Sequence, residues 1–160
     1  MLEPEKIFGD LPGIQFRRAR GSEATAIRAF LEAAYSVYVP RMGRMPLTMK
    51  TDFAAAIRDD LIWVLMEDDG LLAVLHFLSR ADHVFVEDVA VRVGRQRQGI
   101  GKKLLAFAEE EALSRGYHEI RLFTNETMVE NIALYQSLGY RELHREPCQG
   151  TDIIYMRKPL

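Results

Sequence analysis

The sequence predicts an α/β fold, an α+β mixed sheet with helices packed on its faces. Three observations lead there. Short apolar runs of strand-like patterning recur between runs of helical periodicity. Their order reads β-α-α-β-β-β-α-β-α-β-β, which combines consecutive strands that hairpins can join with strands separated by a helix. Glycines at 116 and 139 close the last two helical runs where a strand pattern resumes.

Each element has a local reason. Pro12-Gly13 ends a leader, residues 1–13, expected to pack loosely. Residues 14–18 alternate Ile14 and Phe16 against Gln15 and Arg17, a half-buried strand. Ser22 is the expected N-cap of a helix over 23–39, in which Ile27, Phe30, Leu31, Ala34 and Tyr38 recur at helical spacing. A loop over 41–48 follows, bounded by Pro40 and Pro46, and then a short helix over 52–59. Strands are expected at 61–66, 71–79 and 83–91, the first two joined by the turn Asp68-Asp69-Gly70. A helix over 99–115, a strand over 117–124, a helix over 129–138 and strands over 140–145 and 152–157 complete the chain.

Composition bounds the function. The 160 residues suit a single domain, 1–160, with no repeats or linkers. A net charge of -2 speaks against a general nucleic-acid binder. One cysteine, Cys148, excludes an internal disulfide framework and suits a reducing compartment. No apolar run approaches membrane-spanning length, and the N-terminus lacks an apolar signal region. These observations predict a cytoplasmic protein without a membrane partner. The four histidines, His76, His83, His118 and His144, stand singly without ligand spacing, so no metal is expected.

The segment from Arg95 to Lys103 breaks a rule of helix chemistry. The first turn of a helix carries unpaired N–H groups and partial positive charge, which favour acids. Here Arg92, Arg95, Arg97, Lys102 and Lys103 gather, and the acids Glu109, Glu110 and Glu111 come only later. An anion at the helix start explains the cluster, and Gly99 and Gly101 would let a phosphate approach the backbone. A Walker loop fails, because Ile100 and Gly101 follow Gly99 where Lys and Ser or Thr are required. A dinucleotide fingerprint fails too, with Leu at 104 and Thr124-Asn125 ending the next strand. A tight turn with a solvated basic face is the plain alternative.

From about Phe85 to Tyr140 the chain resembles the GNAT superfamily of acyl-CoA-dependent N-acyltransferases. The matching stretches are VEDVAV, QRQGIG, HEIRLFTN and NIALYQSLGY, with looser agreement from Ile14 onward. The resemblance implies a GNAT-like fold and acetyl-CoA as co-substrate. It implies that the backbone of Val89, Ala90 and Val91 meets the pantetheine arm. The turn of Arg97, Gln98, Gly99, Ile100, Gly101 and Lys102 would hold the pyrophosphate. Relatives often carry a small residue where this chain has Arg97. Asn131 would hydrogen-bond the cofactor, and Tyr135 would be the proton donor to the departing thiolate.

Glu87 is the candidate base, since an amine mostly protonated at neutral pH must lose a proton before it attacks. Diamine acetyltransferases carry a similar Glu-Asp pair whose Glu acts through water, which favours Glu87 over Asp88. Strand alternation alone does not choose between them, because a bulge swaps faces. Acceptor recognition falls to Tyr35–Met49, a segment rich in Tyr, Arg and Met, with Tyr38 and Arg41 as candidate substrate-binding residues. Arg41 or Arg44 would suit a substrate carboxylate. The function read from these features is acetyl transfer from acetyl-CoA to a small or amino-acid-like primary amine in a ternary complex. Two alternatives stay open: a non-catalytic acyl-CoA sensor, and an acetyltransferase of protein N-termini or lysines. A homodimer is compatible with the class, with no interface residue indicated.

Overall fold

The computed structural model describes residues 3–59, 61–68 and 70–160. Among them the strands are β1 (Ile14–Arg18), β2 (Ile62–Glu67), β3 (Gly70–Ser79), β4 (Val84–Val91), β5 (Glu119–Asn125), β6 (Arg141–Cys148) and β7 (Thr151–Pro159). The helices are α1 (Pro4–Ile7), α2 (Ala24–Ser36), α3 (Val39–Met42), α4 (Phe53–Arg58), α5 (Ile100–Ser114) and α6 (Val129–Ser137), with 3₁₀ turns at Gly21–Glu23 and Leu47–Lys50. The strands form one sheet in the order β1-β2-β3-β4-β5-β7-β6. All neighbours are antiparallel except β4 and β5, as the expected mixed sheet requires. No described helix is long and apolar enough to cross a membrane.

Two apolar layers sandwich the sheet. On one face Leu104, Leu105, Phe107 and Ala108 of α5 pack on Trp63, Leu65, Leu75 and Phe77. On the other, Ile27, Leu31 and Ala34 of α2, with Phe53 and Ile57 of α4, cover Ile62, Val64, Val74 and Ala90. Alternate residues of β2 thus serve opposite cores, which is why the strand is apolar without interruption from Ile62 to Met66.

Local chemistry departs from expectation in three places. Ser22 does not cap α2; Glu23 closes the entry turn instead, accepting the Arg20 amide at 2.7 Å and pairing with Arg17 at 2.7 Å. Within the described part of the leader, one residue is buried. Phe8 is 3% exposed, and its ring meets Phe16 edge-on at 5.3 Å, so the leader's apolar side joins the α5 core. The loop after α2 contains α3 and a 3₁₀ turn, with Met42 and Thr48 buried. At the expected hairpin, Glu67 of β2 stands opposite Gly70 of β3; the turn residue Asp69 lies outside the described residues.

The feature that positions the site is a split between the two parallel strands. β4 and β5 pair only from Val84–Val86 against Ile120–Leu122. Beyond that point β4 continues along β3 as far as Val91, and β5 along β7 as far as Asn125. A bulge marks the divergence: Val86 faces Phe77 and Asp88 faces His76, leaving Glu87 as the extra residue.

Candidate active site

The split opens on two sides. Toward the start of α5 lies a cleft of about 630 Å³, lined by Val89, Ala90 and Val91 from β4 and by Gln96, Arg97, Gly99, Ile100, Gly101 and Lys102 from the turn. Of the turn residues expected to line it, Gln98 alone does not; its side chain accepts a hydrogen bond from Arg95. Gly99 sits at the helix start with φ 80° and no side-chain cap, and no acid follows in the first turn. A left-handed glycine without a side chain leaves the first-turn N–H groups open to a ligand.

The basic cluster is only partly a ligand feature. Glu67, from the β2–β3 hairpin, pairs with both Arg92 and Arg95, which hold its carboxyl below the usual range. Lys103 Nζ binds Asp10 at 2.6 Å. Arg97 and Lys102 line the cleft with no ion-pair partner among the described residues. Two cations, uncapped helix N–H groups and an exposed strand edge fit a pyrophosphate joined to an extended amide-bearing arm.

On the other side is a smaller recess of about 60 Å³, lined by Tyr35, Arg44, Thr48, Glu87, Asn125, Asn131 and Tyr135 among others. It adjoins an outer groove of about 680 Å³, and Leu47, Thr48, Glu87, Phe123 and Ile153 border both. The groove is floored by Phe85, Phe123 and Tyr155, whose rings lie 5.6 and 5.9 Å apart in sequence.

Asn131 and Tyr135 line both the cleft and the recess, so α6 stands at the opening between them. Asn125 braces the entry to α6. Its Oδ1 accepts the Thr127 amide at 3.0 Å and hydroxyl at 2.8 Å, while its Nδ2 donates to Thr151 at 2.8 Å. Tyr135 is 6% exposed, and burial raises its phenol above the ordinary value, with smaller contributions from Tyr38 and Asp88. It is therefore protonated at neutral pH.

Glu87 faces the recess with a side chain 22% exposed, and Arg80 Nη2 approaches it at 3.6 Å. Burial raises its carboxyl above the ordinary range; Asp88 adds to this, while His76 and Arg80 oppose it. A carboxylate held weakly by one exposed arginine is available to accept a proton. The candidate acceptor residues divide differently from expectation. Tyr38 and Arg41 line the larger cleft beside the glycine turn, and Arg41 is engaged by Glu130 at 2.8 Å. They do not border the recess. Arg44 does, together with Thr48, which sequence reasoning missed because a threonine in a loop carries no distinguishing signal.

Comparisons with known proteins agree with this architecture. The structure resembles the ribosomal-protein-S18-alanine N-acetyltransferase of Escherichia coli with a TM-score of 0.74 at 24% identity, over 91% of this chain and 93% of that one. It also resembles the PaiA N-acetyltransferase of Thermoplasma acidophilum in complex with coenzyme A, with a TM-score of 0.70 at 16% identity, over 92% and 99%. In sequence it is 30% identical to thialysine N-epsilon-acetyltransferase of Sus scrofa over 74 residues, 46% of this chain and 44% of the relative. The matched region spans half or less of the curated relatives' lengths. Residues 26–140 match the acetyltransferase (GNAT) family, a stretch that includes β4, the glycine turn and the Asn131–Tyr135 helix, and the chain belongs to that family.

Proposed function

We propose that the chain transfers the acetyl group of acetyl-CoA directly to a primary amine in a ternary complex, with a small or amino-acid-like acceptor. The observation that carries this reading is the split between β4 and β5, because Asn131 and Tyr135 border a cofactor-sized cleft on one side and the Glu87 recess on the other. Acetyl-CoA supplies an activated thioester. The cleft's backbone and cations bind its arm and pyrophosphate and thereby present the thioester at the opening.

The acceptor enters over the aromatic groove as an ammonium. Glu87 takes one proton from it, directly or through a water, and the freed lone pair attacks the thioester carbonyl. The C–N bond forms and the C–S bond breaks. Tyr135 then hydrogen-bonds the departing sulfur and gives it a proton as charge develops there. A buried phenol is a weak acid, so its proton moves with C–S cleavage and not ahead of it. The nitrogen, which carries one proton too many after attack, passes it through water to the Tyr135 oxygen, and Glu87 releases its own proton to solvent once the product has left.

The test is acceptor-dependent thiol release from acetyl-CoA, with amino acids, polyamines and peptides assayed side by side. Turnover on small amines above the peptide rate supports the reading. Tight CoA binding with no acceptor turned over would assign the chain to acyl-CoA sensing instead.

A further inference from the structure

The recess beside Glu87 contains an unmatched cation edge. Arg44 uses Nη1 to donate to the Met45 carbonyl at 3.2 Å. Its Nε and Nη2 are buried without a hydrogen-bond partner among the described residues, and the Thr48 hydroxyl, on a residue 6% exposed, is in the same condition. No carboxylate among the described residues pairs with Arg44. Both residues line the recess.

Leaving buried donors of a cation unpaired is costly, and native structures rarely do so without a ligand or water. The arrangement of the unpaired donors selects among ligand groups. Nε–H and Nη2–H form one straight edge of the guanidinium, the two-pronged fork that matches the two oxygens of a carboxylate. A neutral carbonyl has one oxygen and would leave a prong empty. At about 60 Å³ the recess takes a group of a few heavy atoms, by the measure of roughly 15 Å³ for one water. Glu87 borders the same space with opposite charge, so the lining of the recess complements a zwitterion.

We infer that the acceptor is an amino carboxylate, its carboxylate bound by the Nε–Nη2 edge of Arg44 and by Thr48 Oγ1, its amine turned toward Glu87. The inference rests on the acetyl-transfer reading for the amine's fate but not for the carboxylate's binding. Arg44 and Thr48 act here as specificity residues, and Arg41, held by Glu130, has no part in it.

The experiment measures thiol release with free glycine, β-alanine, methionine and lysine beside their carboxamides, each rate expressed per unprotonated amine. Wild-type kcat/KM should favour the acids by about ten- to hundredfold, the scale of a charge-assisted hydrogen-bonded pair. In Arg44→Gln the acid-to-amide ratio should fall toward one, chiefly through KM; Arg44→Lys should recover part of it and Thr48→Val should lose part. Equal wild-type rates on acids and amides, or an unchanged ratio in Arg44→Gln, overturn the inference. If no amine is turned over, the acetyl-transfer reading fails, and calorimetry of the CoA-bound protein with glycine decides this one. Glycine binding lost in Arg44→Gln supports it, and no glycine binding to the wild type overturns it. Thr48→Val and the wild-type ratio keep the test open should Arg44→Gln fold poorly.

Discussion

Tyr35 donates its phenol hydrogen to Asp88 Oδ1 at 2.9 Å, tying the last turns of α2 to the bulge of β4. The other Asp88 oxygen lies 3.3 Å from His76 Nδ1, and both Asp88 and His76 are buried. An acid inside a covered sheet is costly unless its oxygens are matched, and these two partners match them. Two adjacent acids thereby acquire different roles. Asp88 is consumed in holding the bulge, and the bulge turns Glu87 toward the recess.

Removing the Tyr35 hydroxyl leaves one oxygen of a buried acid without its donor. Tyr35→Phe should lower unfolding stability by about 1.5–3 kcal/mol, the range for a hydrogen bond to a charged group. Urea denaturation measures it. Unchanged stability would mean that the bond does not hold the bulge.

Glu87 carries a signed prediction in pH. Its carboxyl is raised, by burial first, and it accepts a proton only when ionised. The acid limb of kcat/KM should therefore lie above the ordinary glutamate range, with activity gained as pH rises through it. Glu87→Gln should lose that limb and slow turnover about a hundredfold. Stability runs the other way. An acid whose folded pKa is raised binds its proton more tightly when folded, so stability falls as pH climbs from the unfolded value through the folded one. At pH 8 Glu87→Gln should then be no less stable than wild type. A wild-type pH profile in the Gln variant would remove Glu87 from the chemistry.

Tyr135→Phe separates proton donation from packing. The ring is buried 6.0 Å from that of Tyr140 and should pack equally well without its hydroxyl. The expected result is kcat lowered about tenfold to a thousandfold, with CoA affinity and unfolding midpoint little changed. Because burial raises the phenol, wild-type activity should show no tyrosine ionisation near pH 10. Full turnover by the Phe variant would end the donor role.

Much of this architecture is legible in the chain because its signals are local. Helical spacing of Ile27, Leu31 and Ala34, the alternation of Ile14 and Phe16, and the glycines at 116 and 139 each depend on neighbours a turn or two away. One error is local: Ser22 falls inside the 3₁₀ turn, so the N-cap position passes to Glu23, whose carboxylate binds the Arg20 amide and Arg17. The other errors arise where a distant residue intervenes. The leader docks because Phe8 finds Phe16 and the α5 core, which the leader's own composition does not announce. Three of the five cations of the basic turn are neutralised from elsewhere in the chain, Arg92 and Arg95 by Glu67 of β2 and Lys103 by Asp10. Arg41 and Arg44 look equivalent in sequence; Glu130, on α6, engages one and leaves the other to the recess.

Arg97 offers a test in which stability and binding move in opposite directions. It is one of three described non-glycine residues with positive φ, at 63°, in the turn before α5. A left-handed arginine costs roughly 1 kcal/mol relative to glycine at the same angles. Arg97→Gly should therefore raise unfolding stability by about that amount while weakening CoA binding severalfold, because a cation lining the cleft is lost. Arg97→Ala removes the same charge but keeps the strained conformation, so it should lose affinity without gaining stability. The charge is exposed, so the affinity difference between wild type and either variant should shrink as salt is raised. Equal CoA affinity in all three proteins at low salt would show that Arg97 points away from the bound pyrophosphate. Equal stability of the Gly and Ala variants would show that the turn relaxes without it.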